Sequence, residues 1–197
     1  MAVVTTKSPS VINWDASPIF IPTTGEGCEG PLRIITDSVA SASGDSIGSI
    51  YRCIRIPTNA KIKRVTLSST TAIGGAGAGD IDVAFSDSLT DGTQQSLSQL
   101  ANPVIQLTGS VDNKLFGAAA SLIGTATPTL QDKTFQGTAP NQLTFAGQNI
   151  PLWQVLVSLG ATQFVTDPGG FFDLVIKLTT AITVAGGAVN LMCEYVE

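Results

Sequence analysis

The patterns in this sequence that could carry chemistry are few. Gly44-Asp45-Ser46-Ile47-Gly48 has the G-x-S-x-G spacing of a nucleophile elbow, which needs its serine between a strand and a helix and a histidine to accept the proton. The chain contains no histidine, and strand-like residues follow the motif. A Gly-Ser turn feeding a strand at Ser49 is the expectation. The same absence removes Ser-His-Asp and Cys-His nucleophiles, His-ligated zinc and histidine general bases together. Gly74 to Gly79 is a glycine-rich loop, but no Gly-Lys-Ser/Thr follows and the chain continues as Ile81-Asp82-Val83, not as a helix that could offer its N-terminus to a phosphate. Asp80 and Asp82 fall two apart on one strand face, with Asp87 and Asp91 close behind. Paired carboxylates serve glycoside hydrolysis or Ca²⁺ binding, but no EF-hand spacing is present, and two Asp at the start of a strand are expected to be solvated. Cys28, Cys53 and Cys193 are widely spaced and form no CxxC pair; buried free thiols are expected, with a single bridge as the alternative. No catalytic, cofactor or metal site is expected.

The elements that would hold these residues are mostly strands. Arg33 to Val39 is rich in β-branched residues. Ser49 to Ile56 places Ile50, Ile54 and Ile56 at period two, and Pro57-Thr58-Asn59-Ala60 is a turn leading into Lys61 to Ser69, so 49–56 and 61–69 are expected to form an antiparallel hairpin. Asp80 to Ser86 is a further strand. Between 87 and 147 the pattern is mixed; Leu115, Phe116, Ala119 and Leu122 or Ile123 fit helical spacing, so a short helix competes with a strand there. Pro151 followed by apolar residues at 152, 153, 156 and 159 and stopped by Gly160 predicts a short helix with Trp153 on its core side. Phe172, Leu174, Ile176 and Leu178 alternate with Asp173 and Lys177. Val189, Leu191, Cys193 and Tyr195 alternate with Asn190, Met192 and Glu194, and these two runs are expected to pair as a terminal hairpin of half-buried strands. Short strands, many turns and one short helix predict a mostly β protein, an antiparallel β-sandwich of jelly-roll-like topology over 32–197. Residues 1–31 carry Pro9, Pro18, Pro22 and Pro31, which disfavour helix. They predict an extended N-terminal arm, with Trp14, Ile19, Phe20 and Ile21 as its interface candidates.

Composition narrows the function class. The chain has 197 residues, a formal charge of −5, 43% hydrophobic and only 13% charged residues, and about forty of its residues are Ser or Thr. An acidic chain lacks the basic stripe that nucleic-acid binding requires. Arg52, Arg55, Lys61, Lys63 and Arg64 are the local exception: either a solvated strand face or lysine-protected edge, or a docking patch for an acidic neighbour. Mean hydropathy is +0.30, yet no apolar run is long enough to span a membrane. The first residues lack the apolar h-region of a secretory signal, and with the expected free thiols the sequence leads us to expect synthesis in a reducing cytoplasm.

Three stretches together resemble a known group. Gly48 to Ile62 (GSIYRCIRIPTNAKI) leads through the Gly/Ala loop to Asp80-Ile81-Asp82-Val83-Ala84-Phe85. Pro151 to Leu156 precedes Thr166-Asp167-Pro168-Gly169-Gly170-Phe171-Phe172-Asp173-Leu174, and Thr179-Thr180-Ala181 with Gly186-Gly187 closes the set. This pattern is similar to small virion structural proteins of tailed bacteriophages, capsid decoration (cement) or minor head proteins. The resemblance implies a non-enzymatic protein without cofactor that binds the major capsid protein, stabilises the head, and works in the virion as a homo-oligomer, a dimer or trimer, after assembly in the host cytoplasm. A carbohydrate-binding β-sandwich of a fibre or adhesin and a tail or connector component are the alternatives.

Overall fold

A computed structural model describes residues 3, 5–8, 11–12, 32–69, 77–86, 102–121, 130–183 and 187–197. Nine strands are described: β1 (Thr5–Lys7), β2 (Arg33–Ala40), β3 (Ile50–Pro57), β4 (Lys61–Ser69), β5 (Ala78–Phe85), β6 (Gly117–Ser121), β7 (Gln131–Asp132), β8 (Phe171–Leu178) and β9 (Ala188–Val196). Among the described residues an α-helix, α1 (Leu152–Ser158), follows a 3-10 turn at Gly147–Asn149, and Val11 and Ile12 are also helical. The strands form two sheets, ordered β1-β3-β8-β5-β6 and β2-β9-β4-β7. This is the expected mostly β sandwich with its short helix. Of the stretch 114–123, Gly117–Ser121 form strand β6, while 122 and 123 lie outside the described residues.

Four of the pairings are nested, β2 with β9, β3 with β8, β4 with β7 and β5 with β6, and β4 with β9 and β5 with β8 complete the two sheets, all antiparallel. From β2 to β9, successive strands therefore switch sheets except β5 and β6, which pair with each other, and both expected hairpins are absent. The 57–60 link crosses from β3 in the first sheet to β4 in the second. Its backbone is held by other elements: Thr58 N–H donates to Gly170 O, while Trp153 and Leu152 N–H donate to Thr58 O and Ala60 O. Two of the amides that a helix leaves without internal partners at its N-terminus are thus satisfied by this turn. Likewise β8 is flanked on both edges by β3 and β5, and β9 by β2 and β4, so neither has an edge to offer the other. The β8–β9 connection crosses between sheets instead, tied to the β2–β3 loop through Gly44 N–H to Ile182 O and Ile182 N–H to Asp45 O.

The core lies between the sheets. Tyr51, Cys53, Ile54 and Ile56 of β3, Ile81, Val83 and Phe85 of β5, and Phe172, Leu174 and Ile176 of β8 meet Ile62, Val65 and Leu67 of β4 and Val189, Leu191, Cys193 and Tyr195 of β9. Leu152, Val155 and Leu156 of α1 close this layer; Trp153 is half-buried and packs against it. The period of β3 is broken by a bulge between Arg52 and Ile54, which turns both Cys53 and Ile54 inward. Ile50 therefore does not share a face with Ile54 and Ile56. It lies on the opposite face in a small second cluster with Ala84, Val104 and Val175. The bulge also puts Arg52 and Arg55, three apart, on that same outer face.

Candidate functional site: a buried charged layer and an exposed contact surface

The outer face of the first sheet is buried, although its strand residues alternate as if half-exposed. Strand register sets three rows across β3, β8 and β5: Ile50–Lys177–Asp80, Arg52–Val175–Asp82 and Arg55–Asp173–Ala84. Arg52, Arg55, Asp80, Asp82 and Asp173 are all buried. Asp173 lies between two guanidiniums. Arg55 binds it bidentately, with Nε to Oδ1 at 2.7 Å and Nη2 to Oδ2 at 3.1 Å. Arg52 Nη1 donates to Oδ2 at 2.6 Å and to Phe85 O at 2.7 Å. The bidentate fork is the geometry in which a buried carboxylate–guanidinium pair offsets most of its desolvation.

At the other end of this layer, Lys177 Nζ lies 2.6 Å from Asp112 Oδ1 and Lys114 Nζ lies 3.4 Å from Asp80 Oδ2. Lys114 has a left-handed backbone, φ 49°, and its N–H donates to Asp82 Oδ1. Asp82 Oδ2 is buried and has no hydrogen-bond partner. Burial, with Asp112 and Asp80 adding negative charge nearby, pushes the Asp82 carboxyl up to about 7; the Lys114 hydrogen bond and Lys177 oppose this. Such a value suits proton transfer, but the side chain is 0% exposed and closed to a substrate. Asp80 and Asp82 share a strand face as the sequence implies, but they are buried, not solvated. Among the described residues no group of His, Cys, Asp and Glu could hold a metal ion.

The other motifs are structural. Gly44 and Gly48 have φ of 98° and 88°, the conformations that let the 41–48 loop turn, and Asp45 Oδ2 accepts from Tyr51 Oη at 2.6 Å and Ala42 N–H at 3.1 Å. The Ser46 hydroxyl has no hydrogen-bond partner and no base to activate it. Cys53 and Cys193 are buried thiols outside any disulfide; Cys28 lies outside the described residues.

The five cations do not form one patch, because β3 and β4 belong to different sheets. Arg52 and Arg55 are buried as above and cannot reach a partner through the surface. Lys61, Lys63 and Arg64 lie on the outer side of the second sheet, half-buried. Lys63 Nζ donates to Gln148 O and Asn149 Oδ1. Arg64 lies 3.3 Å from Asp132 Oδ2 and 4.0 Å from Glu194 Oε1. A bulge between Ile62 and Arg64 lets Lys63 and Arg64 both avoid the core. Trp14, Ile19, Phe20 and Ile21 lie outside the described residues.

Two surface features were not anticipated from sequence. Phe145 is 78% exposed and packs against half-buried Phe135, with ring centroids 4.6 Å apart and planes tilted by 44°. Beside it a groove of about 260 Å³ is lined by Ala146, Ile150, Val155 and Leu159. The loop that carries the ring is fixed to β4 by the Lys63 contacts and by Gln148 Nε2 donating to Lys63 O. At one end of the sandwich a cleft of about 540 Å³ is lined by Arg33, Asn59, Asp167, Phe171 and Glu197 among others. Asp167 Oδ1 there accepts from Thr58 Oγ1 at 2.7 Å and Gly169 N–H at 2.9 Å.

No family model and no curated protein matches the chain. Among solved structures it is similar to a chain of the cyanophage Pam1 capsid asymmetric unit, at 14% identity and TM-score 0.43, covering 92% of this chain and 95% of that one. It is also similar to a chain of the capsid of Ralstonia phage GP4, at 12% identity and TM-score 0.42, covering 98% of each. Neither likeness places the chain in a family.

Proposed function

We propose that this chain is a non-enzymatic virion structural protein of the decoration type, binding the major capsid protein and stabilising a phage head as a homo-oligomer. The observation that carries the contact role is the braced phenyl ring of Phe145 beside an apolar groove. An anchored, exposed aromatic is what interface centres are built from. The residues with chemistry to offer support the same reading, because Arg52, Arg55, Asp82 and Asp173 are enclosed in the protein. The nested strand pairings support a jelly-roll reading of the sandwich, an architecture used in viral capsid and lectin domains. The sequence resemblance over 48–62, 80–85, 151–156 and 166–174 supports the step from contact protein to virion. Residues 1–31 act in this reading as an arm that reaches an adjacent subunit. Deleting them is expected to lower head occupancy and head heat stability; unchanged occupancy and heat stability would sink the proposal.

A carbohydrate-binding role is the second reading, favoured by the cleft in which Asn59, Asp167 and Thr58 surround Phe171. Binding on a glycan array that is lost on Asp167→Ala would favour it over co-sedimentation with heads. Copy number separates decoration from a connector, with hundreds expected per particle for the former and a dozen or fewer for the latter.

A further inference from the structure

The first sheet ends on a strand that the fold does not need to take from its own chain. β1 lies outermost, parallel to β3, with Thr5, Thr6 and Lys7 opposite Ile50, Tyr51 and Arg52. The segment after it is set into the same edge. Ser8 is 0% exposed, its N–H donates to Arg52 O at 2.7 Å, and its hydroxyl donates to Cys53 O at the bulge. Ile12 N–H returns to Ser8 O at 3.0 Å, and Val11 is also 0% exposed. These hydrogen bonds join residues 5–12 to the β3 edge or to one another, so they are available as well to a copy of that segment from a second chain.

Chain length permits the exchange. Residues 13–32 separate the docked segment from the start of β2, and 20 residues extend to roughly 70 Å. A domain of this size has a radius of gyration of only about 15 Å. Of the residues beyond Ile12, the prolines at 18, 22 and 31 disfavour helix. A parallel pair needs a long connection in either case, so no turn geometry ties β1 to its own sheet. A tethered neighbour presents its edge at an effective concentration in the millimolar range, comparable with that of the chain's own edge.

We propose that in the assembled state β1 and Ser8 are supplied by a second copy of this chain and complete the β3 edge of its neighbour. This rests on the arm-bridging role proposed above and names the arm's receptor. The test uses full-length protein carrying a photo-crosslinking benzoylphenylalanine at Thr5, with ¹⁴N and ¹⁵N copies mixed and added to heads lacking the protein. The same mixture is also tested at about millimolar concentration in solution. Dilute protein is expected to cross-link within one chain. Assembled or concentrated protein is expected to give a doubled band whose mixed-label peptides join residue 5 to β3. Ser8→Asp, which places a charge in the closed socket, is expected to cut that band more than tenfold while the melting of the sandwich persists. Purely within-chain cross-links in both settings would overturn the exchange, even if arm deletion still abolishes head binding. Mixed-label cross-links in solution without head binding would uphold the exchange and remove the capsid reading instead.

Discussion

Asp82 offers the sharpest physical test of the buried charged layer. Its carboxyl is 0% exposed, accepts one hydrogen bond from the Lys114 amide, and leaves Oδ2 without a partner. The charged groups around it are Asp80, Asp112, Lys114 and Lys177. Burial raises its pKa from the ordinary 3.8 to about 7. Between these two values the folded chain binds more protons than the unfolded chain, so stability falls as pH rises from about 4 to about 7 and is level above that. A shift of about 3 units corresponds to roughly 4 kcal/mol lost by pH 8. Asp82→Asn keeps the Lys114 hydrogen bond and cannot ionise. The other titrating groups contribute alike to both proteins, so they cancel in the difference. About a third of the penalty is already present at pH 5, and the advantage of the variant should widen by about 2–3 kcal/mol between pH 5 and pH 8. Urea unfolding followed by tryptophan fluorescence at a series of pH values measures that difference. Parallel stability curves for the two proteins would refute the claim that Asp82 is a strained, proton-binding carboxylate.

Other perturbations follow from the same geometry. Asp173→Ala leaves the Arg52 and Arg55 guanidiniums buried without their carboxylate and should cost about 3–5 kcal/mol of unfolding free energy in denaturant titration. Tyr51→Phe removes the hydrogen bond to the Asp45 carboxylate and should cost about 1.5–3 kcal/mol, read as a lowered urea midpoint at unchanged slope. Phe145→Ser should leave stability within about 0.5 kcal/mol, because the ring is exposed, yet weaken head binding measured by co-sedimentation. In a Cys28→Ser background, Cys53 and Cys193, whose thiols burial holds well above the ordinary range, should react with a thiol reagent only as fast as the domain opens; rapid labelling of the native protein would contradict their place in the core.

The strands were legible because alternation records which residues share a face: Phe172 to Leu178 and Val189 to Tyr195 lie within β8 and β9. The helix was legible from Pro151, the apolar stripe and Gly160. Pairing was not legible, because a four-residue turn such as Pro57–Ala60 suits a hairpin and a crossing between sheets equally. What decides is remote, in the Gly170 carbonyl and the α1 amides that hold the turn. Nor does alternation say whether the polar side of a strand meets water. Asp173 looks like a solvated residue until Arg52 and Arg55 are brought to it by a bulge that breaks their odd spacing. The cation run was read as continuous because sequence does not reveal that β3 and β4 part company. Phe145 gave no signal, since an isolated aromatic in a turn-rich stretch looks the same whether exposed or buried.

A cryo-electron reconstruction of the parent particle tests the central claim most directly. The account predicts symmetric copies of this two-sheet domain on the shell, in contact with the major capsid protein, with Phe145 or its neighbouring groove within an interface. A shell lacking this domain, or its appearance only at a unique vertex or in the tail, would contradict the decoration role.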